Sequence, residues 1–282
     1  MKRIIFSLFL FFYSMISFSQ EGNLWRPFFE QAINFNENNE YVAAEEQFNK
    51  AQQLLLDEFG LNDNTIASYC HILYRRASNL FLIDGVQDSS YKYFKELYDL
   101  SQKLVDSISG EWFRTESTIM LSTIDLGNGN IRECCELLEN EKQNVDKLNV
   151  ETRLPHKYYF YKNLAETYNF LLVNLIHGKV NDYQFLCSPY VIIRDASFYN
   201  EYITVYKELV DLSVRYNKGN IKKLTEDYML LASHCRIPDD DYLAYITFEK
   251  AFSLWDSYEK HNDIMYFKLC KEYLSYLNSA HL

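Results

Sequence analysis

The residues able to do chemistry are few and scattered along the 282 positions of the chain. Cys70-His71 and His234-Cys235 are the places where a thiol and an imidazole are neighbours, the pairing that a cysteine nucleophile with a histidine base would need. Consecutive residues on a helix point in different directions, so neither pair makes that contact by itself. His156, His177, His261 and His281 stand singly, and a metal site would have to gather them from distant segments. No His-Glu-x-x-His, Cys-x-x-Cys or Gly-x-Ser-x-Gly run occurs, which removes the usual zinc and serine-hydrolase arrangements. Gly127-Asn128-Gly129 opens like a dinucleotide fingerprint, but Arg132 stands where its third glycine belongs and no strand precedes it. Asp239-Asp240-Asp241 lacks the glycine and closing glutamate of a calcium loop. Those acids read instead as the opening of a helix from Tyr242 to Lys260, where they answer its dipole. The expectation is a protein that is not an enzyme and has no metal and no cofactor. A competing reading takes Trp25, Trp112 and Trp255 as platforms of a carbohydrate-binding or hydrolytic helical protein.

Charge narrows the partners. Lys and Arg number 28 against 39 Asp and Glu, a net charge of -11, and such a balance repels phosphate backbones and anionic lipid. Arg75-Arg76 and Lys222-Lys223 are isolated basic pairs and no longer run of basic residues occurs, so nucleic acid is not expected as a partner. At the start of the chain Lys2 and Arg3 precede an apolar run from Ile4 to Ile16, followed by Ser17-Phe18-Ser19 with small residues at the positions a signal peptidase reads. The run falls short of the ~20 residues that cross the hydrocarbon layer. Residues 1–19 therefore read as a secretory signal, 20–282 as the mature protein in the periplasm or outside the cell, with no stable membrane insertion after cleavage. Six cysteines would permit disulfides in such a compartment. Most of them lie within apolar helical patterns, where a free thiol packs as a small hydrophobe, and a bridge between Cys134 and Cys135 would be strained.

The elements that carry these residues are helical. Eight Gly and 4 Pro leave little room for the tight turns of an all-β fold. Phe28, Ala32 and Phe35 lie on one helical face. After the polar corner Asn38-Asn39-Glu40 come Tyr41, Ala44, Phe48 and Ala51 on another. Two amphipathic helices at a short corner make a helical hairpin, and the arrangement returns. Tyr74, Ser78 and Phe81 precede Asp84-Gly85, then Ser90, Phe94 and Leu97. Leu121 and Ser122 precede Gly129-Asn130-Ile131, then Cys134 and Leu138. Leu209 and Leu212 precede Gly219-Asn220-Ile221, then Leu224 and Tyr228. Trp255 and Tyr258 precede Asn262-Asp263-Ile264, then Phe267 and Leu274. The anchors Ala44, Ser90, Cys134, Leu224 and Phe267 give a period of about 44 to 45 residues, with one interval twice as long. A degenerate unit fills that interval, with a first helix at Tyr158–His177 and a corner at Gly178-Lys179-Val180. Pro189 interrupts its second half, so that Asp182–Ile193 fits an irregular loop, a kinked helix or a short hairpin.

These residues resemble the tetratricopeptide (TPR) repeat, most clearly in the first hairpin, where aromatic and small residues keep the family's offsets. Leu54-Leu55-Leu56-Asp57-Glu58-Phe59-Gly60 resembles the longer second helix of the extended variant in kinesin light chains. The likeness is clearest over 24–140 and weakens through the degenerate unit at 150–205. Departures are Leu56 where the short form has proline, Gln31 where it has leucine, and bulky Leu224 and Phe267 where a small residue is usual. The resemblance implies an all-α, right-handed superhelical α-solenoid of about six helix-turn-helix hairpins. It also implies an adaptor or scaffold that binds a protein or peptide on its concave face. The family's groove offsets place Arg26, Asn36, Arg75, Asn79, Glu116, Thr123, Tyr206, Ser213 and Tyr216 there, with Arg75 and Asn79, one turn apart, as a clamp for a backbone or carboxylate.

Overall fold

A computed structural model describes residues 23–85, 88–104, 107–176, 196–235, 241–256 and 263–279. Among them the regular structure is α-helical throughout: α1 (Arg26–Glu37), α2 (Tyr41–Phe59), α3 (Ile66–Asp84), α4 (Asp88–Ser101), α5 (Ile108–Gly127), α6 (Ile131–Lys147), α7 (Val150–Ile176), α8 (Ala196–Tyr216), α9 (Ile221–Cys235), α10 (Asp241–Asp256) and α11 (Ile264–Ser279). The chain divides into two compact units, one ending at Leu100 and the other beginning at Ser101. The anticipated corner Gly178-Lys179-Val180, and the stretch through Pro189 to Ile193, lie outside the described residues.

The corners form where the turn chemistry requires. Three hairpins place the residue two before their second helix in the left-handed region: Asn39 (φ 63°), Gly129 (φ 80°) and Gly219 (φ 87°). Glycine adopts that conformation freely and asparagine better than most residues. α2 runs on to Phe59 and stops at Gly60, whose N–H donates to the Leu56 carbonyl at 2.9 Å. The loop behind it is fixed by Thr65, whose hydroxyl donates to the Gly60 carbonyl at 2.8 Å, and by Asn62 Nδ2, which donates to the Phe59 carbonyl at 3.0 Å. Ser107 caps α5 by accepting from the Gly110 N–H at 2.9 Å. α7 carries a break at Arg153 (φ -123°, ψ 19°) with Pro155 just beyond. Proline is tolerated in that first turn, where its missing N–H has no helical partner.

In the first unit α1 packs on α2 and α2 on α3, burying Phe29, Ala32, Ala44, Phe48, Ala51 and Leu55. Phe29 meets Phe48 with ring centroids 5.8 Å apart and the His71 ring at 5.2 Å. Small side chains at Ala32, Ala44 and Ala51 let the helix axes approach to the usual ~8–10 Å. In the second unit neighbouring helices pair in order, and α9 also meets α11. One continuous core there includes Cys134, Leu138, Phe160, Leu164, Leu209, Phe248, Trp255 and Tyr276.

The anchors Ala44, Ser90, Cys134 and Leu224 are buried as their spacing predicts. Phe267 is not, and neither is Leu274. α11 buries Met265, Leu269 and Tyr276 instead, turning the opposite side of the helix to α9 and α10. Ring contacts account for the rotation. Tyr266 meets Trp255 at 5.8 Å and Phe252 at 6.1 Å, and Tyr273 meets Phe252 at 5.2 Å and Phe248 at 5.3 Å. These aromatics bury more area than Phe267 and Leu274 would.

Candidate functional site

In the first unit the first helices of two hairpins are tied by amides. Asn36 Nδ2 on α1 donates to Asn79 Oδ1 on α3 at 2.7 Å, and Asn79 Nδ2 donates to the Tyr41 carbonyl at 2.8 Å. Asn79 is thus buried with both ends of its amide engaged, which withdraws it from the clamp expected with Arg75. Arg75 is half-buried. Burial lowers its pKa, while Tyr74 and Glu37 act to raise it. Arg26 lies near the surface and pairs with Glu30 at 3.0 Å, one turn on.

Behind this row runs a polar chain that the sequence reading missed. Arg76 Nε donates to Glu45 Oε1 and its Nη1 to Gln52 Oε1, both at 2.6 Å, and its guanidinium lies 4.6 Å from the Tyr93 ring centroid. Gln52 Nε2 donates to Tyr69 Oη at 2.9 Å, and Tyr69 Oη donates to Glu96 Oε1 at 2.8 Å. Burial, then Glu96, pushes the Tyr69 phenol up to about 12. Burial raises the Glu45 carboxyl against the pull of Arg76. The Cys70 thiol rises to about 12 by burial first and Glu96 second, far from the range of a reactive thiolate. His71 falls to about 3 through burial and the charge of Arg75.

The second unit holds two polar clusters. In the first, Thr115 Oγ1 on α5 donates to Glu141 Oε1 on α6 at 2.5 Å and contacts His156 Nε2 on α7 at 2.6 Å. A hydroxyl whose proton is committed to a carboxylate must accept from the ring, so Nε2 of His156 carries a proton. Burial is the first cause that brings its pKa down to about 4. Arg114 Nε pairs with Glu141 Oε2 at 2.9 Å and Arg153 Nε with Glu111 Oε2 at 2.5 Å. The hydroxyl, ring and carboxylate are those of a nucleophilic triad, but the connectivity is not. The carboxylate holds the hydroxyl instead of orienting the imidazole.

The second cluster centres on Asp227 of α9. Its Oδ2 accepts from Tyr158 Oη of α7 at 3.0 Å and from Ser213 Oγ of α8 at 2.5 Å. Lys162 Nζ approaches Oδ1 at 3.6 Å, and Asn217 Nδ2 donates to Ser213 Oγ at 2.9 Å. All of Asp227, Lys162, Ser213, Tyr158 and Asn217 are buried. Burial raises the Asp227 carboxyl, with Lys162 acting against it. Tyr216 Oη lies 3.4 Å from Tyr159 Oη, and its ring centroid is 4.9 Å from that of Tyr158.

Of the groove residues expected in this unit, Thr123 is exposed, and Glu116 and Tyr216 are half-buried. Ser213 and Tyr206 are buried, Ser213 against Asp227 and Tyr206 with its hydroxyl donating to the Ala165 carbonyl at 2.9 Å. Helical offsets place a residue at an angle around the axis, and an internal acceptor decides whether a polar side chain turns inward. Of the tryptophans, Trp25 and Trp255 are buried, the latter donating from Nε1 to Thr225 Oγ1 at 2.9 Å. Trp112 is half-buried on Phe113. A signal for the missed clusters did exist: Glu141, Lys162 and Asp227 are charges at positions where three of the four neighbours at three- and four-residue spacing are apolar or aromatic.

Among the described residues, Cys70, Cys134 and Cys270 are free thiols, no cluster of three or more His, Cys, Asp or Glu is placed to hold a metal ion, and no helix is long and apolar enough to cross a membrane.

No family model matches the chain, and no curated protein does. Solved structures match: two structures of the nearly identical TPR-like repeats of a Podosopora anserina protein described as a kinesin light chain, one of them a single-substitution variant. Each aligns with a TM-score of 0.55, at 14% and 15% identity, over 86% of this chain and 100% of that one. The fold is therefore an all-α, TPR-like α-solenoid, as the hairpin spacing and the resemblance led one to expect.

Proposed function

We propose that the protein is an exported, non-catalytic adaptor that captures a protein or peptide on the surface made by the first helices of its hairpins. The observation that carries this reading is the Asn36–Asn79–Tyr41 relay. It holds α1 and α3 side by side and leaves Asn36 and Arg75 half-buried on neighbouring first helices. Half-buried amide and guanidinium groups on a rigid support suit an extended backbone or a carboxylate, because the ordering cost is met before binding. Glu116, Thr123 and Tyr216 add a carboxylate and two hydroxyls on first helices of the second unit. The net charge of -11 favours a partner that is not itself strongly acidic. The signal at residues 1–19 supports delivery to the periplasm or the exterior.

Crosslinking mass spectrometry in the native host names the neighbour. Capture of that neighbour should then fall with Arg75→Ala and hold with Arg132→Ala, which removes an exposed cation paired to Glu136 on α6. Equal capture by both variants removes the proposed surface. Mass spectrometry of the protein's N-terminus from the host envelope should find the chain starting at about Gln20; a start at Met1 defeats the export reading.

A further inference from the structure

Two exposed apolar patches carry opposite charge. On α11, Ile264, Phe267 and Leu274 are 72%, 60% and 59% exposed, and their spacing sets them on one helical face. Lys268 and Lys271 are exposed beside them, while the helix's one acid, Glu272, lies off this face and is half-buried. The patch is thus cationic in a chain of net charge -11. At the end of α2, Leu24, Phe59 and Leu61 are 64%, 41% and 46% exposed. Hydrogen bonds hold this second patch together: the Leu24 N–H donates to Glu58 Oε2 at 3.3 Å, and Asn62 and Thr65 fix the loop after Phe59. Asp57, Glu58 and Asp63 are exposed around it. No Lys or Arg occurs between Lys50 and Arg75, and the nearby Arg26 is engaged by Glu30.

Single exposed leucines need no explanation, but clusters of three with a one-sign rim mark association surfaces. We infer that the α11 patch binds the Leu24–Phe59–Leu61 patch of a second copy of this chain, head to tail. Charge complementarity selects this occupant. Pairing α11 with α11 across a two-fold axis would bring the lysines of both copies together, a repulsive contact, whereas the acidic rim of the α2 end opposes them with the other sign. Different surfaces meet on the two copies, so the contact is heterologous and can propagate beyond a dimer. It is independent of the groove proposed for the partner, since none of these six apolar residues belongs to that surface.

Sedimentation equilibrium on the purified protein tests the contact. The weight-average mass should rise with concentration, and less so at high salt, where exposed charges are screened. Phe267→Glu with Leu274→Glu, and separately Phe59→Glu with Leu61→Glu, should each leave a monomer with an unchanged circular dichroism spectrum. An equimolar mixture of the two double variants should form a one-to-one pair, because each keeps the face the other lacks. The inference is overturned if the wild type stays monomeric, if the Phe59 and Leu61 variant still associates as α11 pairing alone would require, or if the mixture stays monomeric. Binding of the monomer to vesicles of anionic lipid through Phe267 and Leu274, with no self-association, would overturn it too and make α11 a membrane-surface helix.

Discussion

Acid should destabilise this protein through His156, and the structure gives the size of the effect. The ring is neutral and donates to Thr115 Oγ1 at 2.6 Å, and burial is the first reason its pKa drops from 6.5 to about 4. A folded state that refuses a proton the unfolded chain accepts loses stability as pH falls. The contribution is complete above pH 6.5 and declines as pH drops toward 4. Taking the pH from 7 to 4.5 traverses about two of the intervening units, which at about 1.4 kcal/mol each is a loss of roughly 2–3 kcal/mol. That is a substantial part of the ~5–15 kcal/mol of a typical domain. His71, lowered to about 3, has the same sign. Asp227, Glu45 and Asp125, all raised first by burial, have the opposite one: their stabilising share is present at low pH and is lost as pH rises through their folded values.

A variant isolates the histidine from these other groups. Gln in place of His156 keeps an N–H donor for Thr115 but does not titrate. Urea denaturation of the wild type and of His156→Gln at pH 7 and at pH 4.5 should show the wild type losing roughly 2–3 kcal/mol more than the variant over that interval. Parallel losses in the two proteins would refute the reasoning, because the ring would then protonate equally in the folded and unfolded chains.

Three further changes test the packing, each read by chemical denaturation. Asp227→Ala should cost about 3–5 kcal/mol, since it leaves Lys162 buried without a counter-charge, while Asp227→Leu combined with Lys162→Met should recover most of that loss; a double variant as unstable as the single one would contradict the pairing. Gly110→Ala should cost more than Ser107→Ala. A Cβ at Gly110 falls 2.2 Å from the Leu104 carbonyl oxygen and 2.6 Å from its Cβ, whereas Ser107→Ala removes only a cap worth about 1 kcal/mol. Ala44→Phe should lose about 1–3 kcal/mol by overpacking, and Phe267→Ala, at the equivalent repeat position on α11, should change the stability of the monomer by less than about 0.5 kcal/mol.

The sequence was a good guide wherever the governing chemistry is local. The corners at Asn39, Gly129 and Gly219 are readable because a positive φ restricts the residue there whatever surrounds it. The stop at Gly60 and the buried Ala44 and Cys134 follow from the same short-range pattern. What escaped was the rotation of helices about their own axes and the polar contacts that depend on it. Asn36 and Asn79 are 43 residues apart and Tyr158 and Asp227 are 69 apart, and no spacing rule links such pairs. Asn79, Ser213 and Tyr206 occupy helix positions that family offsets place on a surface, yet each has an acceptor or donor within the fold that draws it inward. On α11 two faces are apolar enough to be buried. The Tyr266 and Tyr273 side won because Trp255, Phe252 and Phe248 were there to receive it.

The buried acids answer a difficulty that repetition creates. Hairpins with similar apolar faces can cover one another in more than one register, because hydrophobic contact is not directional. Half-buried Glu45 on α2 and fully buried Glu141 on α6 and Asp227 on α9 are charges on second helices, each met by donors from first helices: Arg76 from α3, Arg114 and Thr115 from α5, Tyr158 and Lys162 from α7 with Ser213 from α8. Sliding a helix by one turn would keep much of the apolar contact but strand a buried carboxylate and its cation, at a cost of several kcal/mol. Such pairs add little net stability over an apolar replacement; excluding the wrong alignments is the role they would serve. The variant carrying Asp227→Leu and Lys162→Met separates these roles. It should unfold near the wild-type denaturant concentration yet show doubled amide resonances from residues of α7, α8 and α9. A single set of sharp resonances would mean that shape complementarity alone fixes the register in the second unit.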